Sequence, residues 1–135
     1  MTTATSSKKC TVLLIEDEEV MRDTVCEALR LDGHECIATA SMDEAMRTLV
    51  IDRPAVVLLD LHVAEASTEP WIDEIRAHRA SVVVFSAHPR GQDIASRHGV
   101  DALPKPFELD HLSTLIAKLC SRVSASNPPE RTQSS

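Results

Sequence analysis

The sequence is poor in aromatic residues and has no excess of positive charge. It contains one Trp, two Phe and no Tyr, so a surface that stacks the bases of single-stranded nucleic acid is not expected. Lys and Arg number 14 against 21 Asp and Glu, which gives a formal net charge of −7. Binding to DNA or to anionic lipid without sequence specificity needs clustered Lys and Arg. The charge balance therefore argues against nucleic acid and membrane as partners.

Long hydrophobic runs are also missing. No apolar stretch approaches the ~20 residues that span a bilayer, and the run at 11–15 is too short for the core of a signal peptide. We therefore expect a cytoplasmic protein. The chain has 135 residues, of which 43% are hydrophobic, and this length is typical of one globular domain.

The four cysteines, Cys10, Cys26, Cys36 and Cys120, show no pairing signal. None forms a C-x-x-C motif, and none has zinc-finger spacing with the histidines. Three of them lie in or beside apolar patterns. We interpret all four as small buried residues with reduced thiols.

Strand and helix patterns alternate along the chain. Residues 1–9 are expected to be a flexible lead-in, 10–122 the folded domain, and 123–135 a disordered tail. Strands are predicted at 10–15, 35–39, 55–59, 81–85 and 101–104, and helices at 19–31, 41–51, 70–78, 91–99 and from 108 onward. The pattern is (βα)₅, which predicts an α/β fold with a doubly wound, five-stranded parallel sheet covered by helices on both faces.

Polar residues follow four of these strands. Glu16 and Asp17 end the first strand, Asp60 the third and Ser86 the fourth, and Lys105 follows the fifth. Ligands of such sheets bind beyond the carboxyl ends of the strands. With the strand order 2-1-3-4-5, these five side chains would meet at one edge.

The residue types at this edge suggest phosphoryl chemistry. Clustered carboxylates repel one another unless a cation intervenes, and hard oxygen ligands suit Mg²⁺. A carboxylate can attack a phosphoryl group as a nucleophile. An ammonium, a hydroxyl and a metal ion can then stabilise the charge on the phosphoryl oxygens. Each residue alone has a simpler explanation as a helix cap or a turn residue, so the prediction rests on their conjunction.

Four segments, "VLLIEDE", "VVLLDLHV", "VVVFSAH" and "LPKPF", resemble the receiver domain of two-component response regulators. The resemblance covers about residues 10–122 and implies the flavodoxin-like, CheY-like fold. It implies that Asp60 is the phosphoacceptor and that Lys105 contacts the phosphoryl group, with a cis bond to Pro106. It also implies that Ser86 is the switch hydroxyl.

The resemblance also implies a Mg²⁺ site and signalling partners. The metal ligands would be Asp17 directly, Glu16 through water, Asp60, and the backbone carbonyl of His62. The phosphoryl donor would be a sensor histidine kinase or a phosphotransfer protein. Because no output domain is recognisable, we expect a stand-alone receiver that signals by protein contacts to an output protein that the sequence does not identify. Formation of a homodimer on phosphorylation is an alternative that the sequence leaves open.

Three departures from the family pattern concern the switch. Ala102 stands where the family has an aromatic residue three positions before Lys105. Ala64 and Thr68 stand where the loop after the phosphoacceptor usually carries Pro and Gly, which suggests a mobile loop. The interval from Ser86 to Lys105 is short, so the fourth helix should be small or irregular.

Some alternatives stay open at this point. His62 and His88 lie two residues beyond Asp60 and Ser86, and either could tune dephosphorylation, face solvent, or less plausibly hold a metal. The missing aromatic favours a second interpretation, an adaptor that works without phosphorylation. A phosphatase with an Asp nucleophile needs a second acid where His62 stands, so we do not expect an enzyme beyond self-phosphorylation and self-dephosphorylation.

Overall fold

The computed structural model describes residues 9–126. The seven strands are β1 Thr11–Ile15, β2 Glu35–Thr39, β3 Val56–Leu59, β4 His62–Val63, β5 Ala66–Ser67, β6 Ser81–Ser86 and β7 Asp101–Pro104. The five α-helices are α1 Glu19–Leu31, α2 Met42–Asp52, α3 Ile72–Ala77, α4 Gly91–His98 and α5 Leu109–Ser126. Residues 1–8 and 127–135, which make up most of the predicted lead-in (1–9) and tail (123–135), lie outside the described residues.

Five parallel strands form one sheet in the order β2-β1-β3-β6-β7. This is the predicted order 2-1-3-4-5 once the short hairpin β4-β5 is set aside. In the register, Ile15 of β1 pairs with Leu59 of β3, and Leu59 lies beside Val84 of β6. The ends of these strands are therefore level, which places the residues that follow them side by side.

The central strands are buried on both faces, as their unbroken apolar runs predict. Helices α1 and α5 cover one face, and their buried side chains pack with Leu14, Leu58 and Phe85. Helices α2, α3 and α4 cover the other face, where Leu13, Leu59 and Val84 point. The alternation of side chains along each strand divides the core into these two layers.

Local signals in the sequence account for several helix ends. Ser41 caps α2 by accepting a hydrogen bond from the Glu44 backbone N–H at 3.3 Å. The side chain of Glu44 bonds to Thr39 Oγ1 at 2.7 Å rather than to the backbone of Ser41. Gly99 ends α4 in the left-handed conformation with φ +69°, where glycine is favoured. Helix α4 has eight residues, which confirms the prediction of a small helix.

Two regions differ from the sequence predictions. Helix α5 continues to Ser126, so the first residues of the predicted disordered tail are helical; the sequence SASN contains no helix breaker before Pro128. The loop after Asp60 forms the β4-β5 hairpin, which the sequence does not predict, while the mobility expected of this loop stays a prediction. A 3₁₀ turn, Glu69–Trp71, then leads into α3.

The interpretation of all four cysteines as reduced thiols was wrong for two of them. Cys10, just before β1, and Cys120, in α5, form a disulfide with a Cα–Cα distance of 5.8 Å. Cys26 and Cys36 are free and buried, and their side chains are hydrogen-bonded to each other. This bond lowers the pKa of the Cys26 thiol to about 7, and with burial it raises the pKa of Cys36.

None of the described helices has the length and apolar character that crossing a membrane requires.

Candidate functional site

Three carboxylates meet at the carboxyl edge of the sheet. Glu16 and Asp17 follow β1 and Asp60 follows β3, and one oxygen from each lies within 4.8 Å of the others. Because β1 and β3 are adjacent parallel strands in level register, their ends bring the three acids together. The structure therefore confirms the predicted proximity of these residues.

Lys105, immediately after β7, extends its ammonium into this carboxylate cluster. Its Nζ lies 2.5 Å from Glu16 Oε1 and 3.5 Å from Asp60 Oδ2. The ammonium also lies 4.5 Å from the centroid of the Phe85 ring, a favourable cation–π position. The backbone N–H of Lys105 donates to the Ser86 carbonyl at 3.0 Å. This bond fixes the start of the Lys105 segment against the end of β6.

Glu16 is almost completely buried, with 1% of the residue exposed. Its second carboxylate oxygen accepts the Glu18 backbone N–H at 3.0 Å, and Arg22 donates to its backbone carbonyl at 3.0 Å. A buried charge is tolerated only when it is paired and hydrogen-bonded. Lys105 supplies the pairing charge for this carboxylate.

Hydrogen bonds with strand β1 and with the segment that follows β5 hold the backbone of Asp60 in place. Its backbone N–H donates to Ile15 O at 3.0 Å, and its carbonyl accepts the Thr68 hydroxyl at 2.6 Å. The His62 backbone N–H donates to Asp60 Oδ1 at 3.3 Å. Burial raises the pKa of the Asp60 carboxyl, the charge of Lys105 opposes that rise, and the neighbouring Glu16 adds to it.

The β4-β5 hairpin forms a short flap beside the carboxylates. Its two turn residues, Ala64 and Glu65, have φ values of 53° and 64°, the pattern of a type I′ turn, in which Asn-Gly is the usual sequence. The backbone N–H of Ala64 donates to Asp17 Oδ2 at 3.0 Å. The hairpin therefore fixes the position of Asp17, which is otherwise exposed.

Ser86 and the two histidines lie next to this site. Ser86 is buried, and its Oγ accepts the His88 backbone N–H at 2.9 Å. The rings of His62 and His88 stack with centroids 5.3 Å apart. The two histidines follow Asp60 and Ser86 by two residues each in the sequence. Contact between their rings is visible only in the structure.

A cavity of about 240 Å³ opens beside Ser86. Its lining includes Val84, Ala102, Pro104 and Lys105, together with the start of α4. Ala102 lies on β7 directly beside Val84 of β6. The short Ala102 side chain therefore leaves empty the space that a larger residue at this position would fill.

Comparison with known proteins identifies the family. The response regulator receiver domain family matches residues 12–117, nearly all of the described chain. The chain belongs to this family. Its fold is thus that of a receiver domain of two-component systems.

Curated relatives are longer than this receiver domain. The transcriptional regulatory protein KdpE of Staphylococcus aureus is 33% identical over 78% of this chain and 47% of its own length. The response regulator protein FleR of Pseudomonas aeruginosa is 28% identical over 79% of this chain and 24% of its own. The chain thus spans about half of KdpE and a quarter of FleR.

Solved structures share the fold. NtrX from Brucella abortus superposes with a TM-score of 0.81 at 24% identity, over 93% of this chain and 30% of NtrX. A CheY-like receiver domain protein from Methanospirillum hungatei superposes with a TM-score of 0.79 at 14% identity, over 89% of this chain and 100% of its own.

Sequence reasoning missed the contribution of Thr68 to this receiver domain. Thr68 has 1% of its surface exposed, and it closes the hairpin by donating its backbone N–H to Leu61 O at 2.8 Å. Its hydroxyl also bonds to the Asp60 carbonyl. A threonine within a polar loop carries no signal that distinguishes this buried position from a solvated one.

Proposed function

We propose that this receiver domain accepts a phosphoryl group on the Asp60 carboxylate, from a histidine kinase or a phosphotransfer protein, with Mg²⁺ as the cofactor. The observation that carries the proposal is the convergence of three carboxylates and one ammonium on a single strand edge. Asp60 follows the central strand β3, and its Oδ2 lies 3.5 Å from the Lys105 ammonium. It is also only partly buried, so an incoming phosphoryl group can reach it.

The donor set fits Mg²⁺, which prefers oxygen ligands and retains water. Glu16, Asp17 and Asp60 would hold the ion, with Glu16 acting through water. The His62 backbone carbonyl is a further candidate ligand. In this hairpin His62 and Ser67 are a non-hydrogen-bonded pair, so the N–H and C=O of His62 both point away from Ser67, at the same edge of the hairpin. The N–H at that edge donates to Asp60. When bound, Mg²⁺ would neutralise the carboxylates and the phosphoryl oxygens.

The residues of the chain have distinct roles in the proposed transfer. An Asp60 oxygen forms the new bond to phosphorus while the phosphorus–nitrogen bond of a donor phosphohistidine breaks. The electron pair of that bond returns to the imidazole. Lys105 can follow the new dianion by exchanging its contact with Glu16 for a phosphoryl oxygen, and Ser86 Oγ–H can donate to another.

Signalling through contacts with an output protein is part of the same proposal. Stand-alone action, the absence of nucleic acid as a partner and a cytoplasmic location stay predictions, as does dimerisation on phosphorylation. A phosphoryl group switches a protein only if it biases an element with two arrangements. The cavity between Ser86 and Ala102 gives the Ser86 loop space into which it can shift.

The proposed chemistry is tested by intact-mass measurement after incubation with Mg²⁺ and a small acyl phosphate. We expect one added phosphoryl group in the wild-type chain, and none in Asp60→Ala or after chelation of the metal. Asp110→Ala, which removes an exposed acid at the start of α5, is the matched control and should be phosphorylated normally. Phosphorylation of Asp60→Ala to the same extent would contradict the assignment.

The cavity beside Ala102 favours a second candidate function, an adaptor that binds its partner without phosphorylation. Without an aromatic side chain in this space, the pocket lacks one side chain that could change position when Asp60 is phosphorylated. The same mass experiment separates the two candidates. If no adduct forms at low temperature, even with a histidine kinase as the donor, the adaptor becomes the better proposal.

The stacked His62 and His88 rings lead to a prediction about dephosphorylation. Because the His62 backbone bonds to Asp60 and the His62 ring stacks on His88, we expect the two rings to order or shield the water that hydrolyses the acyl phosphate. His62→Ala/His88→Ala should change the hydrolysis rate severalfold, measured as loss of the mass adduct with time. His111→Ala, an exposed histidine on α5, should leave that rate unchanged. An unaltered rate in the double variant would reject this role.

A further inference from the structure

A second cluster of metal-ligating side chains lies at the opposite end of the sheet from Asp60. Cys10 precedes β1, His34 lies in the turn between α1 and β2, and Cys120 belongs to α5. The two sulfur atoms and one ring nitrogen all lie within 4.8 Å of one another. None of these residues takes part in the phosphorylation site.

His34 presents an unprotonated ring nitrogen to the two cysteines. Only 6% of the residue is exposed. Its Nδ1 accepts the Cys10 backbone N–H at 3.2 Å and lies 3.9 Å from Cys120 Sγ. The lone pair of Nδ1 therefore faces the two cysteines. Within residues 9–126, no hydrogen bond involves Nε2.

We propose that Cys10, Cys120 and His34 form a binding site for Zn²⁺ when the two cysteines are reduced. Two thiolates and one imidazole are the ligands that zinc prefers, and three protein ligands leave one position for water. The Cys10–Cys120 disulfide is then the oxidised, metal-free form of the same site. The site is separate from the Mg²⁺ site in both position and ligand chemistry.

An opening beside His34 gives the cluster a path from solvent and polar groups that can hydrogen-bond a metal-bound water. An opening of about 330 Å³ adjoins His34, lined by Lys9, Asp32, His34, Ser113, Thr114 and Ala117. The Lys9 ammonium donates to the Asp32 backbone carbonyl at 2.8 Å, so its charge is held at the rim of the opening. Hydroxyl groups and an acid line the remainder, as expected for a place where a metal-bound water is hydrogen-bonded.

The redox step balances with a dithiol as the reductant. The dithiol is oxidised to its own disulfide, and the Cys10–Cys120 bond breaks as each sulfur atom gains one electron and one proton. Zn²⁺ then displaces the two thiol protons to water as the thiolates bind. To become a ligand, Nδ1 of His34 exchanges its hydrogen bond from Cys10 N–H for the metal.

Zinc titration of the full chain tests the proposal, with bound metal counted by native mass spectrometry. Excess Mg²⁺ is present throughout, so that the carboxylates at Asp60 are occupied. The reduced wild-type chain should bind one Zn²⁺ and the oxidised chain none. Cys120→Ser and His34→Gln should each weaken binding by at least about tenfold. Cys26→Ser, a buried cysteine of the same core layer, is the matched control and should bind as wild type.

Alkylation of the reduced wild-type chain gives a second measurement that does not depend on how the variants fold. Zn²⁺ should slow the modification of Cys10 and Cys120, located by peptide mapping, and should leave Cys26 and Cys36 unchanged. Equal zinc affinity in the oxidised chain, or protection of Cys26 and Cys36 instead, would overturn the proposal. So would the absence of protection at Cys10 and Cys120, which would leave these residues as a structural disulfide only.

Discussion

Lys105→Met is expected to lower the free energy of unfolding by about 3 kcal/mol in magnesium-free buffer at neutral pH. The physical reason is the burial of its partner: the Glu16 side chain is 2% exposed, and the lysine ammonium lies 2.5 Å from it. Removing the cation leaves a desolvated carboxylate beside a second one, Asp60. Removing one partner of a buried ion pair lowers the free energy of unfolding far more than losing an exposed pair does.

The pH dependence of this loss has a definite sign. Burial raises the pKa of Asp60 and the charge of Lys105 opposes that rise, so Lys105 stabilises this site only while Asp60 is ionised. The difference between wild type and Lys105→Met should therefore be largest at neutral pH. It should shrink as the pH falls towards 3.8, the ordinary value for the Asp60 carboxyl, because a protonated Asp60 no longer needs the cation.

Urea unfolding at several pH values, with and without Mg²⁺, measures the effect. Mg²⁺ should restore part of the lost stability, since binding to the folded acids favours the native state. Lys105→Arg keeps the charge and should lose less. Lys118→Met removes an exposed lysine from α5 and is the matched control, with an expected change within about 0.5 kcal/mol. A loss in Lys105→Met no larger than in Lys118→Met would contradict the argument.

Reducing the Cys10–Cys120 disulfide is expected to lower the free energy of unfolding by about 4 kcal/mol. The two cysteines are 110 residues apart in sequence, so the bond closes a loop that contains the whole sheet. A cross-link over such a long loop removes much conformational entropy from the unfolded chain. The magnitude is comparable with the total stability of many single domains.

The measurement compares denaturant unfolding of the oxidised and reduced chains in the presence of a metal chelator. The chelator removes any stabilisation by zinc, so that only the covalent bond differs. The double variant Cys10→Ser/Cys120→Ser is the control and should be insensitive to the reductant. If reduction changed the stability of wild type and of the double variant equally, the effect would come from Cys26 and Cys36 or from the reductant itself.

The sheet and the acidic edge could be predicted because both depend on short-range patterns. Continuous apolar runs mark strands buried on two faces, and alternation with helices requires parallel crossovers. Once the order 2-1-3-4-5 is assumed, Glu16, Asp17, Asp60 and Lys105 must meet. The pairing of Lys105 with Glu16 rather than mainly with Asp60 depends on side-chain geometry, which the sequence does not specify.

The hairpin and the disulfide could not be predicted, for different physical reasons. Ala64 and Glu65 are not residues that favour positive φ, so the turn is held by the bonds of Thr68 and Asp17 around it rather than by its own sequence. Cys10 and Cys120 are brought together by the packing of α5 against the sheet. Four cysteines allow three full pairings, and sequence alone cannot choose among them or show that only one pair forms.

The nearness of Cys10 to Cys120 has an architectural consequence. The backbone enters the first strand and passes through the last helix at points whose Cα atoms are 5.8 Å apart, about the spacing of neighbouring strands. Helix α5 ends six residues after Cys120, at Ser126, about 9 Å further along its axis, so the folded domain begins and ends within a distance that a surface loop of a host protein can span. Cys10 and Cys120 lie at the end of the sheet opposite Asp60. A host protein joined there would leave the acidic pocket open to a phosphodonor.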